Sequence, residues 1–280
     1  MRRRVRHLKI WVGGSILLLL VVCGVSAPFL APYDPQEQRL EDRLQPPGLS
    51  ARSARLHLLG TDNLGRDILS RILYGSRISL LVGAATVILA GVTGCLLGAI
   101  AGYFGDLTDE IINKTTEIFL AFPFLLLAIA LMAFLGQGLL NLILALMLSR
   151  WVQYCRVVRG EVLSLREREF VLAVRALGGR DFYVLLKHIF PNTVASVTVV
   201  ATFSMAIVII SEASLSFLGL GVPAHIPTWG SMLSEGRAYM YRAPWLTIVP
   251  GLAIFITVFG INLLGDGLRD VLDPKLRGQQ

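Results

Sequence analysis

The chain is predicted to be an all-α, polytopic membrane protein, and three observations carry that expectation. Hydrophobic residues make up 54% of its 280 residues and charged residues only 16%, with a mean hydropathy of +0.66, a balance that does not suit a water-soluble domain of this length. Several stretches are apolar over the roughly 20 residues, at about 1.5 Å each, that a helix needs to cross a bilayer. Lys and Arg fall mostly on one side of those stretches, as they do when basic loops are retained in the cytoplasm. The net charge of +7 is therefore a topology signal and gives no support to nucleic-acid binding.

Taken in order, the expected spans are 10–30, 78–101, 118–135, 139–155, 194–217 and 245–264, a bundle of six transmembrane helices. The first follows Arg2, Arg3, Arg4, Arg6 and Lys9, and its Val25-Ser26-Ala27 end also fits a secretory signal peptide. Its apolar run has the length of a span, so an uncleaved helix is expected. Between the third and fourth, Gly136-Gln137-Gly138 suits a tight turn joining antiparallel helices. With the N-terminus inside, most of the 26 Lys and Arg residues lie in the cytoplasm and both termini share that side. The resulting division is an N-terminus and first helix (1–30), an extracytoplasmic segment (31–77), a membrane core (78–268) with a cytoplasmic loop at 160–192, and a cytoplasmic tail (269–280).

No ATP-binding G-x-x-x-x-G-K-[ST] run, H-E-x-x-H pair or nucleophile elbow occurs, and the four histidines are scattered. Cys23, Cys95 and Cys155 lie in or at the ends of apolar stretches without metal-ligand spacing, so neither a disulfide framework nor a metal site is expected. Nothing in the chain points to an enzyme or to a cofactor of its own.

The polar, basic, glycine-broken loop at 169–192 stands out against this background. Phe170, Val174 and Leu177 recur at helical spacing and predict one apolar stripe, while Ala173, Ala176 and Gly178 leave a neighbouring face nearly bare. Gly178-Gly179 predicts a stop, Asp181 a capped restart, and Pro191 a far limit, giving helix, elbow, helix. Spacing alone leaves two options open: an element that receives another protein, or a helix pair lying on headgroups through its arginines.

The same residues resemble the cytoplasmic "EAA" loop of ABC importer permeases of the dipeptide/oligopeptide/nickel family, as a second permease subunit, and the resemblance covers nearly the whole chain. It places the loop's acidic and aromatic lead on Glu169 and Phe170, its small positions on Ala173, Ala176 and Gly178, and its ending on His188, Ile189, Pro191 and Asn192. Leu172 stands where the family usually has its glutamate, so Glu169, Glu167 or another contact is expected to take that role. The resemblance implies a type I ABC importer transmembrane fold in the bacterial inner membrane. It also implies a related second permease, two ATPase subunits that bind ATP and Mg, and an extracytoplasmic substrate-binding protein. The coupling surface is expected at Glu169, Phe170, Ala173, Arg175, Ala176, Gly178 and Asp181. Peptides are the implied cargo, with nickel, glutathione or another small solute as alternatives. A secondary transporter or a membrane scaffold fits less well.

Three further features carry expectations. The run 57–67 with Ser70-Arg71 and Gly75-Ser76-Arg77 also resembles the family, and Thr61 or Asp62 is expected to cap an interfacial helix from Leu64 to Tyr74. Its Asp62, Arg66 and Asp67 are expected to form exposed ion pairs against a partner subunit. The outer loop holding Gly219, Gly221, Pro223, Trp229 and Gly230 either seals the bundle or serves as a gate and docking surface. Within the bilayer, Glu212 either lines the path or is bonded within the bundle. Arg150, near the inner end of its expected span, is expected to snorkel to lipid phosphates. The C-terminal motif at 266–274 suits a solvated helix end or a brace for the elbow.

Overall fold

The computed structural model describes residues 2–50 and 55–272, with side chains from His7 onward. Helix α1 (Arg2–Val25) and the one-turn α2 (Ala27–Leu30) lead into a mostly irregular stretch that ends at α3. There a 3-10 turn at Leu40–Asp42 precedes a two-residue antiparallel ribbon, β1 (Gly48–Leu49) with β2 (Leu56–His57), in the register Gly48 to His57. The remaining helices are α3 (Ile68–Phe104), α4 (Asp106–Leu120), α5 (Phe124–Leu135), α6 (Leu139–Leu165), α7 (Glu169–Ala176), α8 (Asp181–Val184), α9 (Phe190–Phe217), α10 (Trp229–Arg237) and α11 (Trp245–Leu272).

Among the described residues, four helices are long and apolar enough to cross a membrane: His7–Val25, Ile68–Phe104, Asp181–Phe217 and Trp245–Leu272. The expected third span is not one straight helix. The chain bends by 86° between α4 and α5, where Pro123 lacks an N–H and disfavours helical backbone at the residue before it. Alone, α5 covers only about 18 Å of a hydrocarbon core about 30 Å thick, so a fifth span exists only if the bent pair is taken together. The fourth expected span, 139–155, lies within α6, which runs on to Leu165 and, carrying Arg150, Arg156, Arg159 and Glu161 along the way, is not among the four helices apolar enough to cross. The second begins at Ile68, so α3 crosses the expected boundary at 77 and absorbs the segment assigned to a separate interfacial helix.

The centre of the bundle is a seam of backbone against backbone. Gly94, Gly98 and Gly102, one turn apart on α3, face Trp151, Cys155 and Arg159 on α6; a Cβ at Gly98 would stand 2.3 Å from the Cys155 carbonyl oxygen, and one at Gly94 2.3 Å from that of Trp151. Small residues at this spacing let helices pack in a bilayer, where lipid is as apolar as the side chains. Around the seam lies a core of Cys95, Ala99, Tyr103, Tyr154, Val158 and Val162. Helix α1 docks on α11 in the same manner, with Gly13 against the Gly260 backbone.

Contacts also fix which ends lie together. Lys9 Nζ meets Asp270 Oδ2 at 3.2 Å, and one groove is lined by Glu161, Asn192 and Arg269. The start of α1, the end of α11 and the loop at 160–192 therefore share one face. On the other face, Trp245 Nε1 donates to the Thr61 carbonyl at 3.1 Å. Residues 273–280, with the end of the C-terminal motif and most of the tail, lie outside the described residues.

A Gly98→Leu substitution is expected to force α3 from α6 and destabilise the bundle by more than the ~1–3 kcal/mol of ordinary overpacking, because backbone and not a movable side chain is in the way. Gly160→Ala on α6, where nothing lies within 4 Å, is expected to be neutral or stabilising. Thermal stability of detergent-solubilised protein by fluorescence-detected size exclusion checks both.

Candidate functional site

The polar loop folds as helix, elbow, helix, with its details rearranged. Helix α7 opens with Glu169 in its first turn, where a carboxylate is favoured by the unpaired N–H groups. It closes on Gly178, whose φ of +85° few side chains tolerate. Gly179 N donates to the Val174 carbonyl at 3.0 Å and Gly178 N to that of Arg175 at 2.9 Å, the paired bonds of a Schellman stop. The apolar stripe is not Phe170, Val174 and Leu177. Val171 is the fully buried residue, packed with Val162, Val184, Leu185 and Ile189 and flanked by the half-buried Val174, whereas Leu177 is 88% exposed. The helix is rotated by one residue from the expected phase because it anchors on the membrane end of the bundle and leaves its tip free.

Asp181 does not cap α8; no side-chain cap bond forms there. It accepts instead from Tyr103 Oη at 2.7 Å, and Arg175 lies over the Tyr103 ring at 4.7 Å with its Nη2 3.8 Å from Asp181. This three-residue clasp ties both arms of the elbow to the end of α3. Pro191 does not end the second arm either. A π turn at Leu185–Ile189 precedes it, and the extra residue takes up the missing N–H, so Asp181–Phe217 continues as one 37-residue helix into the bilayer. The loop's outward surface, with Phe170, Ala173, Ala176, Leu177, Gly178 and, at 72% exposure, Phe182, has no partner among the described residues.

Glu212 is buried at 1% exposure between α3 and α9 and accepts from Ser79 Oγ at 2.9 Å and Ser216 Oγ at 2.8 Å. Both carboxylate oxygens are bonded inside the bundle, so its surroundings in this chain are those of the second option. Among the outer-loop residues, Gly221, Trp229 and Gly230 are buried and present no surface for docking. The Trp229 indole donates to the Ile72 carbonyl at 3.2 Å, and Gly230 seats α10 on the Ala213 backbone. Gly219, with φ of +78°, is exposed at the turn and Pro223 is half-buried.

The ion pairs of Asp62, Arg66 and Asp67 are buried and internal, in contrast to the exposed, partner-facing arrangement expected. Asp62 Oδ2 accepts from Arg66 Nε at 2.6 Å and also from Arg71 Nη1, while Glu235 Oε2 on α10 accepts from Arg66 Nη2 at 2.5 Å and Arg71 Nη1 at 2.8 Å. Asp67, and not Thr61 or Asp62, caps α3 through the Ser70 N–H at 2.8 Å and holds His57 Nδ1 at 2.9 Å. Two carboxylates facing two guanidiniums close the outer cap as a neutral unit. Sequence gave no signal for Tyr103 or Glu235, since each pairs with residues more than 70 positions away.

A long-helix bundle bearing one rigid, unpartnered elbow has the architecture of an importer's membrane subunit. It matches the inward-facing MetNI methionine ABC transporter with a TM-score of 0.59 over 72% of this chain and 96% of that one, at 18% identity, which establishes the type I ABC importer transmembrane fold. Residues 94–278 match the family described as binding-protein-dependent transport system inner membrane component, and residues 1–47 match the N-terminal transmembrane domain of oligopeptide transport permease C. The chain belongs to that inner membrane component family: a multi-pass permease subunit, not an enzyme. Curated relatives include the di/tripeptide transport system permease protein DppC of Pseudomonas aeruginosa, 43% identical over 97% of this chain and 90% of that protein. The oligopeptide transport system permease protein OppC of Bacillus subtilis is 42% identical over 95% and 85%. The glutathione transport system permease protein GsiD of Escherichia coli is 44% identical over 99% and 89%.

Removing one acid from the outer cap leaves buried guanidiniums uncompensated. Asp62→Ala is expected to destabilise that region by about 3–5 kcal/mol, detectable as faster limited proteolysis of residues 31–67 from the outer side. Tyr103→Phe removes one bond from the clasp, is expected to lower stability by only about 1 kcal/mol, and should raise hydrogen exchange at 169–184.

Proposed function

We propose that the chain forms half of the translocation path of an ATP-driven importer of short peptides. The observation that carries this reading is the elbow: a helix stopped by a Schellman turn, clasped to α3, continuous with a span, and bare on its outward face. Bare, rigid surface suits docking with a second protein and transmits its movement, whereas a flexible loop would absorb it.

In this reading an ATPase subunit receives Phe170, Ala173, Ala176 and Gly178, with Glu169 supplying the charge that Leu172 lacks. Arg175 and Asp181, engaged with Tyr103, hold the elbow's angle. ATP and Mg bind the ATPase subunits and not this chain. Closure of the ATPase pair draws together the elbows of this chain and a related second permease, turning the path outward toward a loaded binding protein; hydrolysis returns it inward, a rigid-body form of alternating access. The start of α1 and the end of α11, which lie on the elbow's face, are then cytoplasmic, and both termini with them. The exposed turn at Gly219 and Pro223 meets the binding protein.

Peptide cargo rests on the likeness to di/tripeptide and oligopeptide permeases over nearly the full chain. Glutathione is a second reading, favoured by the 44% identity to a glutathione permease.

Copurification from membranes is expected to yield two ATPase subunits and one related permease per copy of this chain; their reproducible absence sinks the proposal. Ala176→Trp, at an exposed helical position on the elbow's outward face that leaves the left-handed Gly178 intact, is expected to leave the bundle folded. It should lower peptide uptake at least tenfold relative to ATP hydrolysis in proteoliposomes.

A further inference from the structure

Arg150 is a cation in the wrong place for a lipid anchor. Its expected position near the inner end of a span rested on α6 ending at 155; the helix runs to Leu165, which puts Arg150 inside α6, about 16 Å from its Leu139 end and about 22 Å from its Leu165 end. Its guanidinium is folded onto the Phe124 ring of α5, not extended toward a headgroup, so snorkelling does not account for it.

Nor does the bundle satisfy it. Arg150 Nε and Nη2 are buried without a hydrogen-bond partner, and the guanidinium lies over the Phe124 ring at 4.6 Å, a contact that supplies no acceptor. No carboxylate among the described residues pairs with it: Glu212 on α9 is bonded to Ser79 and Ser216, and Glu161, three turns further along α6, takes Ser196 on one oxygen. A half-buried guanidinium with buried N–H groups lacking acceptors suits an anionic group, since each unmade bond is costly. The wall beside it is also interrupted. Phe124 opens α5 directly after the 86° bend, and Ala121, Phe122 and Pro123 of the bend are exposed.

We infer that Arg150 is a substrate site within the path, where its guanidinium binds the terminal α-carboxylate of the passing peptide; this deepens the peptide reading above and rests on it. The chemistry fits a permease that passes many sequences. A planar fork of N–H donors matches a carboxylate in two bonds, and the α-carboxylate is common to peptides whatever their side chains.

The test uses the assembled complex in proteoliposomes with its binding protein saturated by tri-alanine or by tri-alanine amide. In Arg150→Met, the ratio of acid to amide uptake is expected to fall at least tenfold from wild type, and Arg150→Lys should recover part of it. Equal loss for both peptides overturns the assignment and places Arg150 in contact with the second permease, lipid or the fold. A second measurement does not depend on amide transport. A tripeptide ending in benzoylphenylalanine, trapped in wild type, is expected to crosslink to α6 or to the 121–124 bend, and less so in Arg150→Met. Absence of that crosslink in wild type also overturns the site. If wild type takes up no peptide while another solute is transported, the cargo reading itself has failed and this assignment fails with it.

Discussion

The glycine seam between α3 and α6 sets the positions of nearly everything else. With Gly94, Gly98 and Gly102 pressed on the backbone of 151–159, neither helix can slide by a residue without driving a side chain into a carbonyl. That register carries Arg159 to Asp109 at 2.5 Å and Arg166 to the Gly102 carbonyl at 3.1 Å. It also delivers Tyr103 to the elbow and Arg150 to the depth of the α4–α5 bend. In lipid, where apolar burial gives helices little reason to prefer one another, close backbone packing supplies that choice.

The parts legible from sequence were those governed by local chemistry. Composition and apolar run length identify a membrane bundle, and Gly178-Gly179 identifies the elbow because a left-handed residue must stand at a Schellman stop. What failed were boundaries set by hydropathy. At Arg156 and Arg159 the polarity of α6 rises, so the span was ended at 155, yet no breaker stops the helix, and its charged last turns meet Asp109 on α4. Pro191 misled for the opposite reason: a breaker by rule, it is accommodated by one π turn. The seam was visible as three glycines at four-residue spacing and carried no name for the helix opposite them.

The outer cap shows the same limit. Asp62, Arg66 and Asp67 were recognisable as a patterned charged run, but their partners Arg71 and Glu235 come from two different helices, and only folding reveals that the set is buried. Burial changes its energetics. Exposed pairs contribute about 0–1 kcal/mol, while losing one member of a buried set costs several times that. The cap thus holds α3, α10 and the stretch before α3 as one piece.

These restraints together decide where the molecule can move. The clasp fixes the elbow to α3, the seam fixes α3 to α6, and Glu212 with Ser79 ties the far end of the elbow's own 37-residue helix back to α3. A push at Leu177 therefore has no soft joint to absorb it between the tip and the outer cap. Compliance is left to α1, which touches the bundle mainly along α11, and to the bent α4–α5 pair, whose exposed apolar bend has little packed against it. A body so braced turns as a whole, so in the proposed importer a gap opens between this chain and the second permease. The unpaired Arg150 beside the bend then lies at the edge of that moving body, where such a gap would give an anion access to it.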